Sequence, residues 1–243
     1  MKGRRWWLAA LALIAALAAA FGIYVSDYYR ATETALACLG GDDSVKISDE
    51  GDFIALDGPG DEVGLVFYPG GKVQAEAYLP LLKALARAGV DGYLARMPFN
   101  LAVFGVNRAE GIMARYDHGR WVLGGHSLGG AMAADWASKH ADALEGLVLL
   151  GAYPHRPVPE GLRTLMLYGS EDGLVTQARV ERAMPNLPAG AVVLALPGGN
   201  HAQFGDYGEQ KGDGVAAISR QEQQHRAVEE ILKLMGEAPQ ITG

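Results

Sequence analysis

The tract Gly124-Gly125-His126-Ser127-Leu128-Gly129-Gly130 constrains the fold of this 243-residue chain more than any other stretch. An apolar run, Trp121-Val122-Leu123, leads in, and Ala131-Met132-Ala133-Ala134-Asp135-Trp136-Ala137 leads out. That order reads as strand, sharp turn and helix, with a serine at the apex. Glycines two residues to either side of Ser127 suit a turn whose backbone angles oppose side chains and whose walls lie close together. A serine held this way exposes its hydroxyl at the positive end of a helix, where a developing oxyanion is stabilised. Ser127 is therefore a candidate nucleophile; the alternative is a small residue in a glycine-rich turn.

Around this turn, short apolar runs alternate with helical spacings, the pattern of an α/β chain with a mostly parallel central sheet and helices on both faces. Strands are expected over 45–47 and 53–56, as an edge hairpin, and over 63–68, 92–96, 146–150, 164–168 and 191–196. Leu79, Leu82, Leu85 and Ala86 share one helical face, which Gly89 ends, and a further helix is expected over 103–116. Ser219 and Glu222 form a capping box at the start of a last helix, whose buried stripe is Val228, Ile231, Leu232 and Met235.

Two later loops supply partners for the serine. The strand over 164–168 runs into Gly169-Ser170-Glu171-Asp172-Gly173, and the strand over 191–196 into Pro197-Gly198-Gly199-Asn200-His201. Both loops leave the carboxyl ends of strands, the edge where open parallel sheets gather their chemistry. Ser127, Asp172 and His201 thus follow one another in the order that nucleophile, acid and base require. His201 is the candidate general base. Asp172, favoured over neighbouring Glu171 by its place in the loop, would hold the imidazole in the right tautomer. His118, His140, His155 and His225 lie in helix ends, polar loops or charged helical sequence and are expected to be solvated, and His126 is expected to be structural.

With these residues in place the chain resembles the alpha/beta-hydrolase family, and within it the small, capless branch similar to dienelactone-hydrolase-like serine esterases. The resemblance covers about 63–235 and rests on Tyr68-Pro69-Gly70-Gly71-Lys72-Val73, the tract over 124–130, Tyr168-Gly169-Ser170-Glu171-Asp172-Gly173 and Gly199-Asn200-His201-Ala202-Gln203-Phe204-Gly205. It implies the alpha/beta-hydrolase fold without a lid domain. It also implies an oxyanion hole built from the N–H of Leu128 and one from the loop after the strand over 63–68, with Gly71 first and Lys72 second. Dienelactone hydrolases proper use a cysteine nucleophile; a serine stands here and Cys38 lies far upstream, so their substrate does not carry over. A phosphate-loop reading of Gly70-Gly71-Lys72 fails, because Val73 replaces the required Ser or Thr and Val66 stands where the first glycine belongs.

Asn200 and Gln203 flank the base, where they either orient it and line the pocket or secure the loop. Tyr78, Phe99 and Asn100 are weaker pocket candidates, and Lys72 either contacts an anionic substrate or is a solvated loop lysine. The connector over 151–161 is proline-rich and too short for a helical lid, so the site is expected to be open, with bulk from the 98–104 loop and the tract after His201. No His, Asp or Glu grouping has metal-ligand spacing, and no cofactor is expected.

The N-terminus sets location. Lys2, Arg4 and Arg5 precede an uncharged, mostly apolar run from Trp6 to Val25, long enough at 1.5 Å per residue to span roughly 30 Å of hydrocarbon. The basic residues favour a cytoplasmic N-terminus, and Trp6, Trp7, Tyr24, Tyr28 and Tyr29 near the two ends suit an uncleaved anchor. Ala18-Ala19-Ala20 would suit signal cleavage and secretion instead. The expected organisation is an anchor or signal segment over 1–26, a linker over 27–43 and a hydrolase domain over 44–238. One cysteine forbids an intramolecular disulfide, and a net charge of −7 with pI near 5.4 argues against a nucleic-acid partner. The function expected is a membrane-anchored, extracytoplasmic serine hydrolase acting on a small-molecule carboxylic ester. An acyltransferase on the same triad and a non-catalytic binding module are the alternatives, and oligomeric state is open.

Overall fold

The computed structural model describes residues 2–236. The side chains of Lys2, Arg4 and Arg5, on which the expected orientation rests, and residues 237–238 of the expected domain lie outside the described residues. A long helix α1 (Lys2–Ser26) is followed by a short helix α2 (Glu33–Ala37) and strands β1 (Lys46–Asp49), β2 (Phe53–Asp57) and β3 (Val63–Tyr68). Next come α3 (Leu79–Arg87), β4 (Val90–Ala95), α4 (Arg108–Met113), β5 (Arg120–His126) and α5 (Leu128–Ala137). The chain continues through β6 (Gly146–Leu150), β7 (Arg163–Gly169), α6 (Gln177–Ala183), β8 (Val192–Leu196) and α7 (Arg220–Met235).

The eight strands form one sheet in the order β1-β2-β4-β3-β5-β6-β7-β8. From β4 to β8 neighbouring strands are parallel, while β2 runs antiparallel to both β4 and β1, which makes the expected edge hairpin. Strand alternation divides the core. Leu65 and Phe67 of β3 face α3 and α7 with Leu79, Leu82, Leu85, Ile231 and Leu232, whereas Val66 and Tyr68 face the opposite layer with Ala109, Ala134 and Trp136. Helices therefore cover both faces, and the near-continuous apolar run of β3 follows from burial on two sides.

Three departures from the sequence expectation have a physical reason. Strand β4 begins at Val90, before the expected 92, because Asp91 is accommodated inside it. Its carboxylate accepts from the Gly58 N–H at 2.9 Å, and burial pushes its pKa up. The helix expected over 103–116 is a single 3-10 turn followed by the shorter α4. The Tyr68 hydroxyl donates to the Val106 carbonyl at 2.7 Å and accepts from the Ala109 N–H at 2.8 Å, so a side chain of β3 takes the place of the first helical turn. The segment expected as a linker is docked. Tyr29 pairs with Val73 through Tyr29 N–H to Lys72 carbonyl (2.8 Å) and Gln74 N–H to Tyr29 carbonyl (2.9 Å), and Ala35 of α2 is fully buried. The capping box forms by half: Ser219 Oγ accepts from the Glu222 N–H at 3.1 Å, but the Glu222 carboxylate pairs with Arg226.

Helix α1 carries the whole apolar run, is exposed along almost all of it, and is long and apolar enough to cross a membrane. Among the described residues no helix or strand lies between Leu150 and Arg163, so no lid rises over that edge of the sheet. At the same edge β5 and α5 meet at backbone distance. A Cβ on Gly125 would stand 2.7 Å from the Gly129 carbonyl carbon and the Gly130 nitrogen, and one on Gly129 would overlap the carbonyl oxygens of Tyr68 and Pro69. Backbone cannot yield as a side chain can. Gly129→Ala is therefore expected to lower stability by about 3 kcal/mol or more. Gly111→Ala, inside α4 with open space around it, should raise stability by about 0.5–1 kcal/mol. Urea unfolding of both variants in detergent checks the pair, and equal midpoints would refute the packing argument.

Candidate active site

Ser127 stands between β5 and α5 with φ 52° and ψ −122°, a conformation L residues rarely adopt. Such a residue costs of order 1–3 kcal/mol and persists only where its surroundings over-determine it. Here the Ser127 N–H donates to the Leu150 carbonyl of β6 at 3.0 Å, and the Ala131 N–H donates to the Ser127 carbonyl at 3.0 Å. Sheet on one side and helix on the other thus fix the backbone, leaving the hydroxyl at the start of α5.

The loops after β7 and β8 bring Asp172 and His201 together. His201 Nδ1 lies 2.9 Å from Asp172 Oδ2, with both side chains almost fully buried. The second carboxylate oxygen, Oδ1, accepts from the N–H groups of Leu174 (2.8 Å) and Val175 (2.6 Å), which fixes the plane of the acid. With Nδ1 engaged, Nε2 is left without a hydrogen-bond partner among the described residues. Ser127 and His201 line the same cleft. The rival acid, Glu171, is exposed and receives the Ser170 hydroxyl at 3.0 Å.

The sequence reading missed what holds these loops. The Asp213 carboxylate accepts from the N–H groups of His201 (3.1 Å), Ala202 (2.8 Å) and Gly173 (3.2 Å), tying the loop after β8 to the loop after β7. Its setting in a polar, glycine-rich stretch carries no periodic signal. Fully buried Gln223 of α7 clamps Asn200 at both ends, accepting from its N–H at 2.9 Å and donating to its carbonyl at 2.7 Å. Asn200 Nδ2 donates to the Gly214 carbonyl, and Gln203 N–H donates to Asn200 Oδ1, so Asn200 secures the loop. Neither Asn200 nor Gln203 lines the Ser127 cleft.

In the loop after β3, a Cβ on Gly71 would touch Leu128, so the two lie side by side. Among the described residues neither N–H has a hydrogen-bond partner. The Lys72 N–H, by contrast, donates to the Asn100 carbonyl at 2.7 Å, which removes it as a second choice of oxyanion donor. The Lys72 ammonium pairs with Asp27 at 3.2 Å and sits over the Tyr24 ring, so it is directed at α1 and the chain just after it and does not line the Ser127 cleft. The Gly70 N–H donates to the Tyr78 hydroxyl at 3.0 Å, and that hydroxyl lies 2.8 Å from His126 Nδ1. The hydroxyl's single proton needs an acceptor, and Nδ1 is the one in reach, so Tyr78 donates to His126. His126 is fully buried, 4.5 Å ring to ring from His201. Burial first, and then the charge of neighbouring His201, holds its pKa far below the ordinary imidazole value. A neutral His126 and Tyr78 thus form a fixed floor beneath the base and the loop, and Tyr78 does not line the cleft.

The cleft measures about 230 Å³ and is walled by Leu128, Ala131, Tyr153, Leu174, Val175 and Arg179. Its bulk therefore comes from α5, from the loops after β6 and β7 and from α6. The expected contribution from the 98–104 loop is absent: Phe99 is exposed and packs edge-to-face on Phe21 of α1, and Asn100 is engaged through its backbone with Lys72. His155, expected to be solvated, is exposed at the rim of the cleft. His118 corrects the same expectation: its side chain is 6% exposed, wedged against Trp121 and bonded to Tyr93 at 2.6 Å.

A model described as the alpha/beta hydrolase family matches residues 64–225, a span that includes Ser127, Asp172 and His201. No curated protein sequence matches the chain. Among solved structures, dienelactone hydrolase from Anabaena variabilis is similar, at 15% identity and a TM-score of 0.58, over 79% of this chain and 97% of that one. Est1E from Butyrivibrio proteoclasticus is 12% identical with a TM-score of 0.56, over 79% and 99% of the two chains. Alpha/beta hydrolase domain-containing protein 10 from mouse is 12% identical with a TM-score of 0.57, over 79% and 98%. At these identities the likeness is one of fold.

Two expectations follow from the floor of the site. Tyr78→Phe leaves the buried Gly70 N–H and His126 Nδ1 unpaired and should lower stability by about 1–3 kcal/mol in thermal or urea unfolding. His126 stays neutral in the folded chain, whereas the unfolded chain takes up a proton there below about pH 6.5. Its contribution to stability is therefore complete above pH 6.5 and declines as pH falls below it, by up to about 1.4 kcal/mol per pH unit. Urea midpoints of His126→Gln followed from pH 7.5 to 5 should fall less steeply than those of the parent; parallel curves would contradict a neutral His126.

Proposed function

The chain belongs to the alpha/beta hydrolase family, and from that premise we propose that it is a serine hydrolase cleaving a carboxylic ester through an acyl-enzyme. The observation that carries this reading is the 2.9 Å contact between His201 Nδ1 and Asp172, with Nε2 unpartnered in a ring that shares its cleft with Ser127. A base whose one nitrogen is fixed and whose other is free is set up to take a proton.

In the reaction Ser127 Oγ attacks the ester carbonyl carbon as its proton passes to His201 Nε2. Negative charge collects on the former carbonyl oxygen and is received by the N–H groups of Leu128 and Gly71, two residues that are in contact through the Leu128 side chain. Each such donor is worth about 3–4 kcal/mol in the transition state. The C–O bond to the alcohol then breaks, and the alcohol departs with the proton from His201. Water attacks the acyl-enzyme in turn, giving its proton to His201 and releasing the acid, and the proton returns to Ser127. Asp172, held by two backbone N–H groups, stabilises the imidazolium formed in each half.

The size of the cleft favours a small acyl group, since sites for drug-sized ligands occupy roughly 300–1,000 Å³ and this one about 230 Å³. The missing lid favours an ester that reaches the serine from an open edge. Helix α1 is read as an uncleaved single span with its N-terminus in the cytoplasm and the catalytic domain outside it, as its length supports.

A fluorophosphonate probe should label the detergent-solubilised chain and fail to label Ser127→Ala; labelling that persists in the variant would refute the nucleophile. On a short-chain ester Asp172→Asn should lower kcat by roughly 10⁴-fold with little change in KM. A decrease under tenfold would remove Asp172 from the proposed role.

A further inference from the structure

The 98–104 loop carries exposed apolar side chains that the catalytic site does not use. Phe99, Val103 and Phe104 are 53%, 47% and 53% exposed and lie close together. Phe99 and Phe104 each pack edge-to-face on Phe21 of α1, at 5.1 and 6.0 Å between ring centroids, and lie 5.7 Å from one another. Phe99 and Asn100 both have positive φ, 58° and 54°, so the backbone holds this loop in an unfavourable shape with Phe99 turned outward. A soluble surface gains nothing from that arrangement.

The contact with Phe21 identifies what covers the patch. The apolar stretch Trp6–Ser26 rises about 31 Å at 1.5 Å per residue, the thickness of a bilayer's hydrocarbon core. Phe21 lies five residues before the end of α1, so it stands about 7.5 Å inside it along the axis. Rings that touch Phe21 are at that same level. Elements lying in a membrane interface bury their apolar side by about 5–10 Å, which is the depth Phe99 and Phe104 would reach. Next to them Lys72 sits with its ammonium 4.5 Å from the Tyr24 ring centroid and 3.2 Å from Asp27, at the level where aromatic and cationic side chains meet lipid headgroups.

We propose that the 98–104 loop is a second membrane contact, seating Phe99, Val103 and Phe104 in the headgroup region of the leaflet beside the exit of α1. The inference rests on α1 being an uncleaved span. Contacts run unbroken from that loop to the nucleophile: the Asn100 carbonyl accepts from the Lys72 N–H, Gly71 immediately precedes Lys72, and Gly71 packs on Leu128 next to Ser127. The docked loop therefore holds the catalytic edge of the sheet against the bilayer surface, and the partner of this face is a lipid interface.

Depth-dependent quenching tests this on the full chain. With Cys38→Ser as background, single cysteines replace Phe104, Val103, Leu17 or Asp117 and are labelled with an environment-sensitive fluorophore. Each labelled protein is reconstituted into phosphatidylcholine vesicles carrying a spin label either near the headgroup or deep in the acyl chain. Asp117 is exposed and precedes β5 at the opposite edge of the sheet. Labels at 104 and 103 should shift to the blue and be quenched most by the shallow spin label, the label at 17 by the deep one, and the label at 117 by neither. A solvent-like, unquenched signal at 104 and 103 with quenching at 17 would overturn the loop contact and leave the anchor standing. Absence of quenching at 17 as well would overturn the anchor and the inference together.

Discussion

A serine at φ 52° survives in this fold because three glycines let β5, α5 and the loop after β3 touch at backbone distance. The strain at Ser127 is local, but its support is distributed. Leu150 of β6 takes the serine N–H, and the backbone of Tyr68 and Pro69 closes on Gly129. If Ser127 is the nucleophile proposed above, a side chain so held needs no reorganisation when charge develops beside it, and such preorganisation supplies the largest share of many enzymatic rate enhancements.

Two tyrosines show how the rest of the site depends on side chains that reach across layers. Tyr68, at the end of β3, ends one loop and begins α4 by offering a hydroxyl where helical partners would otherwise be. Tyr78 joins the loop after β3 to His126, which precedes Ser127. Each places one polar atom at the far end of a large apolar body, so it fills core volume and satisfies buried backbone groups at once. Asp213 and Gln223 do for the loops after β7 and β8 what Tyr78 does for the loop after β3.

That Ser127, Asp172 and His201 gather at one edge of the sheet was legible in the sequence because each sits where an apolar run ends, and runs of that kind are periodic signals. The same logic located β3 and α7 closely. It failed where one residue of the wrong polarity lay inside an element, as Asp91 does in β4, and where a long-range hydroxyl overrode helical spacing, as Tyr68 does before α4. The pocket was misplaced for a related reason. Phe99 and Asn100 follow a strand at the catalytic edge, but their positive φ turns the loop toward α1, and strand-end position carries no information about that turn. Tyr153, Leu174, Val175 and Arg179, which wall the cleft, come from short loops and α6, where no pattern distinguishes a lining residue from a bystander.

The docking of residues 27–43 sets how far the catalytic domain can travel. A free segment of seventeen residues could extend nearly 60 Å at about 3.4 Å per residue, letting the domain sample a wide hemisphere around its attachment point. Tyr29, paired with Val73, leaves only two residues between Ser26 and the docked chain, a reach of about 10 Å at full extension, and the Asp27–Lys72 pair shortens even that. With α1 held in a bilayer, the enzyme would patrol a thin layer rather than a volume. Its effective substrate concentration would then depend on what accumulates within a nanometre of the lipid and not on what is dissolved beyond it.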